Sequence, residues 1–390
     1  MSAIELFDRY KAEADACYDP AFFAREKVQR YADRAGLTEE NRQMLLQFLA
    51  YADDSLLQFI WQYYYLLFCS EADFRICISA VEEIPMPAAS EEKFPGCIAA
   101  LVYLLAVDNL EKWLADKAVD REEILESYFF RYREIAFLNT LSHNTHGFCR
   151  LAYFMYGYTK PAILRAGRLD FHYTDYKNYC EMYEDAAGNR IFPALPNYTY
   201  NQYGLQEPDG FRPSYHREGN ILTAHLFGEK GRLSLQPQQI DLTGYTPVLL
   251  PGDSVLTIHI PEGGRMYVED VKASIRKAHA LFTKYMPPFK KIVCQTWFLD
   301  PALRDDVIRD GSNMAAFADL FDIISATDNY NHSIYEHIFK VKRQPLEDLK
   351  PCNAFQQRIL DRALRGERIY WSYGVLKKEY CDALLQNRDF

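Results

Sequence analysis

The spacing of apolar positions along the chain changes character near residue 158. Before that point apolar residues recur at helical intervals. Ile124, Leu125, Tyr128, Phe129, Tyr132, Ile135 and Ala136 form one stripe, and Asp120 with Glu123 supplies a capping box ahead of it. Ser2 and Glu5 repeat that spacing, and Asp19-Pro20 sets a cap before a proline at a first helical position. A further helix is expected from Gly96 to about Ala115, through Leu101, Leu104, Leu105 and Val107. The stretch Ile84-Pro-Met-Pro-Ala-Ala-Ser interrupts the helical run and predicts a loop.

After residue 158 short β-type runs alternate with Gly, Pro and Asn. The expected strands are Arg168–Tyr173, Asn178–Glu184, Ile221–Phe227, Val255–Ile260, Ile292–Phe298, Phe321–Ala326 and Ile334–Phe339. A helix from Val268 to about Tyr285, with Val271, Ile275, Ala278 and Phe282 on one face, separates two of these strands. Strand, helix and strand in that order predict a parallel pair with a right-handed crossover. The remaining strands read as hairpins, with a helix over Ala354–Leu364 and a second after Lys377. The expected fold class is therefore α+β: an all-helical domain over 1–157, then a mixed α/β sheet domain over 158–390. The tyrosine-rich stretch Tyr173–Tyr215 reads as an ordered insertion that either recognises a ligand or covers a sheet edge.

Composition narrows the function. A chain of 390 residues exceeds what one core usually serves. A net charge of -10 argues against broad nucleic-acid binding, although Lys290-Lys291 and Lys340–Arg343 are local basic clusters suited to a small anion. The most apolar segment, Leu56 to Cys69, contains Gln58 and Gln62 and falls short of the ~20 apolar residues of a membrane span. With no basic, apolar leader in the first residues and nine scattered cysteines lacking a CxxC pair, the expectation is a soluble cytoplasmic protein with reduced thiols and no membrane partner. His143, His146 and Cys149 are spaced by three, but the segment looks like a loop without a fourth ligand, so no metal is expected.

The segment richest in chemistry is Val255-Leu-Thr-Ile-His-Ile-Pro-Glu-Gly-Gly-Arg265, which leads at once into the Val268 helix. Glycines at a strand-to-helix turn let the backbone approach a ligand closely, and unpaired N–H groups favour a phosphate. The plain alternative is a β–α turn that happens to use Gly263 and Gly264. Arg265 adds a cation, while His259 and Glu262 are the candidate bases nearby. Cys294 is a nucleophile only if a base lowers its pKa, and Trp297 lines either an acyl tunnel or the core.

His259-Ile-Pro-Glu-Gly-Gly, Ala273-Ser-Ile-Arg-Lys-Ala-His-Ala-Leu-Phe, Cys294-Gln-Thr-Trp-Phe-Leu-Asp-Pro-Ala-Leu, Ser312-Asn-Met-Ala-Ala-Phe-Ala-Asp-Leu-Phe and Gly167-Arg-Leu-Asp-Phe carry a resemblance. Together they resemble bacterial acyltransferases with a helical N-acyltransferase N-terminal domain and a GNAT-like C-terminal domain. The resemblance implies that an acyl-CoA, expected to be acetyl-CoA, lies between splayed strands Val255–Ile260 and Ile292–Phe298. Its pyrophosphate would meet the N–H groups of Glu262, Gly263, Gly264 and Arg265, with Asn313 also on the cofactor side. It further implies direct attack by a small-molecule or peptide amine, His259 or Glu262 serving as base. Two features depart from the family pattern. The loop is Glu262-Gly263-Gly264-Arg265 rather than Gln/Arg-x-x-Gly-x-Gly/Ala. Asn313 and Ala316 keep a common spacing, but Leu320 stands where a tyrosine acid would follow, so the usual acid is missing, or Tyr330 or Tyr335 supplies it, or the thiolate leaves unprotonated. That departure favours the alternative function, a non-catalytic acyl-CoA-binding or ligand-sensing protein.

Overall fold

A computed structural model describes residues 3–70, 84–143, 152–159, 162–176, 180–228, 231–261, 265–329 and 333–386. The chain forms two compact units, Met1–Leu164 and Arg165–Phe390. The first contains helices α1 (Ala3–Ala16), α2 (Arg25–Arg34), α3 (Glu39–Tyr51), α4 (Asp54–Tyr64), α5 (Ala88–Lys93), α6 (Cys97–Leu105), α7 (Val107–Leu114), α8 (Arg121–His143) and α9 (Ala152–Thr159). Helix α6 is apolar all round, and such a helix belongs in the centre of a bundle. It packs against α2, α3, α4, α7, α8 and α9, and Leu101, Val102, Leu104 and Leu105 are fully buried.

The single helix expected from Gly96 to Ala115 is two, broken at Ala106. Two buried tyrosines of α8 serve the backbone there: Tyr132 donates to the Ala100 carbonyl at 2.8 Å and Tyr128 to the Tyr103 carbonyl. Asp19-Pro20 opens a 3-10 turn, Pro20–Phe23, rather than an α-helix, while Asp120 caps α8 through the Glu123 N–H as expected. The segment after Ile84 is irregular only to Pro87, where α5 begins. Leu56 to Cys69 is α4 plus a π-turn over Tyr65–Cys69, and Gln58 and Gln62 both donate to Asp15. Among the described residues no helix is long and apolar enough to cross a membrane. His143 ends α8, but its side chain, His146 and Cys149 lie outside the described residues.

The second unit is built on a sheet of six strands: β1 (Ile163–Ala166), β2 (Leu169–Asp175), β9 (Ser254–His259), β10 (Lys291–Thr296), β12 (Tyr370–Leu376) and β11 (Phe321–Asn329), in that spatial order. Strands β9 and β10 are parallel and the helix between them, α10 (Val268–Tyr285), is the expected crossover. Strand β2 runs antiparallel to β9, and β12 runs antiparallel to both β10 and β11. Short helices α11 (Pro301–Asp306) and α12 (Asn313–Ala318) follow β10; α13 (Ala354–Leu364) and α14 (Lys378–Leu385) flank β12.

The insertion between β2 and β9 is longer and more regular than Tyr173–Tyr215 suggested. It holds two three-stranded sheets, one from β3 (Met182–Asp185), β4 (Arg190–Ile191) and β8 (Tyr245–Leu249), the other from β5 (Tyr215–Glu218), β6 (Ile221–Ala224) and β7 (Gln238–Asp241). Its Tyr176, Cys180, Met182, Ala194 and Tyr200 share one core with Val255, Val293, Tyr373 and Val375 of the main sheet. Polar ties reinforce that contact: Arg190 bridges Glu184 at 3.0 Å and Asp322 at 2.6 Å, and Tyr370 donates to Glu207 at 3.2 Å. One expected strand is wrong. Ile334–Phe339 is a π-helical turn ending at Lys340 with φ 56°, because Ile334 and Ile338 bury on one helical face.

Replacing Leu104 by Ala removes a fully buried side chain from the hub of the helical unit. The expected cost is ~2–5 kcal/mol, read as a lower denaturant midpoint at unchanged slope; a change within ~0.5 kcal/mol would show that α6 is not central.

Candidate functional site

The parallel ladder of β9 and β10 runs from Lys291↔Val255 to Cys294↔Ile258. Past that pair β10 continues for two residues against β12, through Gln295↔Tyr373 and Thr296↔Ser372, while His259 pairs across to Asp170 of β2. The two central strands therefore stop pairing with each other at the end from which β9 leads to the glycine turn. Glu262, Gly263 and Gly264 lie outside the described residues; the chain is described again from Arg265, which is exposed.

The flanks of that turn are held by the β1–β2 hairpin. Gly167 has φ 66°, and a Cβ there would lie 2.8 Å from Ser274 Oγ of α10. Only glycine permits both the left-handed backbone and the close approach. Ser274 Oγ accepts the Arg168 N–H at 2.8 Å and donates to the Asp270 carbonyl at 2.7 Å. The Arg168 guanidinium then donates to the Pro261 carbonyl at 2.8 Å, the last described residue before the turn. The resembling segment Gly167-Arg-Leu-Asp-Phe thus braces the approach to the loop. Helix α10 begins after Tyr267, whose side chain makes no capping hydrogen bond to it. Glu269 and Asp270 stand in its first turn, where they complement the positive end of the helix dipole.

His259 is half-buried at the last position of β9. By strand alternation Asp170, His172, Thr257 and His259 share one face. His259 Nε2 lies 3.5 Å from His172 Nδ1, with ring centroids 5.6 Å apart. Asp170 is fully buried and paired with Arg165 of β1. This is the face that carries Val255 and Val293, the residues covered by the insertion. His172 was not among the residues expected from the sequence. Its strand was legible, but the register that sets it diagonally against His259 was not.

The other expected residues fall into place separately. Cys294 is buried, its thiol donates to the Ile258 carbonyl at 3.6 Å, and burial pushes its pKa well up, so it is not a thiolate nucleophile. Trp297 sits on a 3-10 turn beyond β10, edge-on to Phe298 at 4.2 Å, and packs on the cluster that contains Leu303 and Ile359. Asn313 opens α12, capped by Ser312 through the Ala315 N–H at 3.2 Å, and α12 packs against α10. Leu320, which stands where the resemblance led one to expect a tyrosine acid, is buried. Tyr335 is half-buried in the π-turn; Tyr330 lies outside the described residues. No group of metal-ligating side chains occurs among the described residues.

Residues 163–376 match the family of GNAT-like C-terminal domains, and the chain belongs to that family. The fold is that of acyltransferases. A solved acyltransferase in complex with decanoyl-CoA superposes with a TM-score of 0.60 at 14% identity, covering 90% of this chain and 87% of that one. A second, in complex with decanoyl-CoA and teicoplanin, gives 0.58 at 16% identity, covering 90% and 88%. A mutant acyltransferase in complex with octanoyl-CoA gives 0.58 at 15%, with the same coverage. No curated protein matches the chain.

One carboxyl near this end of the sheet is strongly perturbed yet structural. Burial raises Asp300 from 3.8 to about 6, although its oxygens accept the Ala302 and Tyr370 N–H groups, each at 2.9 Å. The folded chain therefore binds this proton more tightly than the unfolded chain. Its stabilising contribution is full below pH 3.8 and declines as the pH rises to about 6. Carbon-detected NMR of the Asp300 carboxyl should show a midpoint near 6; one below 4 would contradict the buried, desolvated placement.

Proposed function

We propose that the protein transfers an acyl group from an acyl-CoA to an amine by direct attack, with the thioester held where β9 and β10 part. The observation that carries this reading is the end of the parallel ladder at Cys294↔Ile258, beside a glycine turn and an uncapped helix start, within a chain of the GNAT-like family. Backbone groups past the last pair suit the amide-bearing arm of CoA, and the N–H groups of Glu262, Gly263, Gly264 and Arg265 suit its pyrophosphate. Asn313, in the helix packed on α10, belongs to the same side. The solved relatives hold octanoyl- and decanoyl-CoA, so chain length is tested with those donors beside acetyl-CoA.

The acceptor amine must arrive as an ammonium, lose a proton and attack the thioester carbon; the C–N bond forms as the C–S bond breaks and CoA thiolate leaves. His259 takes that proton in this reading, and Glu262 is the second candidate. The contact with His172 orients the imidazole. Leu320 cannot protonate the thiolate, so transfer proceeds without the family's usual tyrosine. The acceptor approaches from the face under the insertion, on which the His259 and His172 side chains lie. Two of the solved relatives are complexed with teicoplanin, which makes a glycopeptide amine a first acceptor to try.

The test is acyl transfer to a panel of amines, wild type against His259→Gln, across pH 5 to 9. General-base removal costs ~10²–10⁴ in rate, and the acid limb of the wild-type profile should vanish while CoA affinity stays. A variant with near-normal turnover and the same acid limb would move the base to Glu262. CoA binding without transfer to any amine would favour the non-catalytic acyl-CoA sensor.

A further inference from the structure

A cleft of about 440 Å³ opens at the other end of α10, between its last turn, the start of β10 and helix α14, with Glu184 and Arg190 on its wall. That volume is in the ~300–1,000 Å³ range of small-molecule sites. The cleft's nearest wall residue on α10, His279, lies 11 residues past the helix start at Val268, so at ~1.5 Å per residue the cleft begins roughly 16 Å along the helix from the glycine-turn end. The site does not belong to the acyl-transfer chemistry and does not depend on that reading.

Its charge is unlike the rest of the chain. Four cations, Arg190, Lys290, Lys291 and Lys378, face two carboxylates, Glu184 and Asp382, in a protein of net charge -10. Both carboxylates are committed. Glu184 takes Arg190 at 3.0 Å and Lys378 at 3.0 Å, and Asp382 takes Lys378 at 3.4 Å. Arg190 is further engaged by Asp322 at 2.6 Å.

Lys291 differs from these: among the described residues its ammonium makes no hydrogen bond and no ion pair within 4.0 Å, and Glu184 and Cys381 act on it only from farther off, against Arg190 and Lys378. It is half-buried at the first position of β10, and that burial lowers its pKa. Lys290, beside it, is exposed at the mouth. The rest of the wall is largely apolar, with Met286, Phe289, Ile292 and Leu385 among its residues.

We propose that this cleft binds a small amphipathic carboxylate, its head group on Lys291 and its apolar body against Met286, Phe289 and Leu385. A partly desolvated ammonium with no direct hydrogen bond gains most from an anion placed against it. The apolar wall selects a ligand with a hydrocarbon portion over a free phosphate or a nucleotide. The single unpaired ammonium inside the cleft matches a monoanion.

Calorimetric titration of the full-length protein with octanoate tests this, with octan-1-ol as the uncharged match and CoA as competitor. Octanoate should bind, octan-1-ol should bind at least ~10-fold more weakly, and saturating CoA should leave octanoate affinity unchanged, since a charge-assisted hydrogen bond is worth about tenfold or more. Lys291→Met should weaken octanoate ~10-fold or more while Lys291→Arg retains it, CoA affinity being unaltered in both. Displacement of octanoate by CoA would put it in the acyl-donor site and overturn the proposal. Equal affinity in Lys291→Met, equal affinity for octan-1-ol, or no octanoate binding to the folded wild type would overturn it as well.

Discussion

Two adjacent strands joined by one helix can lie parallel only if the chain returns the whole length of the sheet before starting the second. The pairing of β9 with β10 imposes that path here, and α10 makes the return. The turn into α10 must then sit at the end of β9, next to the point where the ladder stops at Cys294↔Ile258. The other features of this end follow from it. Gly167 must be glycine because the β1–β2 turn rests on Ser274 of the returning helix. Arg168 can reach Pro261 because that turn lies beside the chain leaving β9. His259 stands at the mouth because it is the final residue of the strand.

The insertion covers one face of the sheet, the face on which His259 and His172 lie. Its core residues pack on Val255, Val293 and Tyr373, while Arg190 and Glu207 tie it to Asp322 and Tyr370. The part-buried Arg190 is desolvated, but Asp322 and Glu184 outweigh that and raise its pKa, so the ion pair holds the insertion in place on the sheet. The same Arg190 lies on the wall of the distal cleft. An insertion that looks in sequence like a decorated loop thus borders both the histidine face and the second cavity.

Much of this fold was legible where local pattern decides structure. Helix α10 carries its buried face as Val271, Ile275, Ala278 and Phe282, and the flanking strands bury Val255, Leu256 and Ile258 on one side and Ile292, Val293 and Cys294 on the other. The six-residue run Ile334–Phe339 was misread because an apolar pair four apart, between turn residues, suits one helical turn as well as a strand. In the insertion β3 and β6 overlap the expected strands Asn178–Glu184 and Ile221–Phe227, whereas β5 and β7 leave most of their residues exposed and show little alternation. In the candidate site, the glycine turn and His259 stand together in one stretch of sequence. His172 and Arg168 come from 87 and 93 residues away, and only the strand register brings them there.

Amide hydrogen exchange with and without CoA reads the central claim at the residues that matter. The account predicts slower exchange on CoA binding at 259–265 and at Gln295 and Thr296, where β9 and β10 no longer pair with each other. The N–H groups around Lys291, at the opposite end of β10, should exchange unchanged. Protection around Lys291 with none at 259–265 would contradict the account, because CoA would then occupy the distal cleft rather than the parting of the two parallel strands.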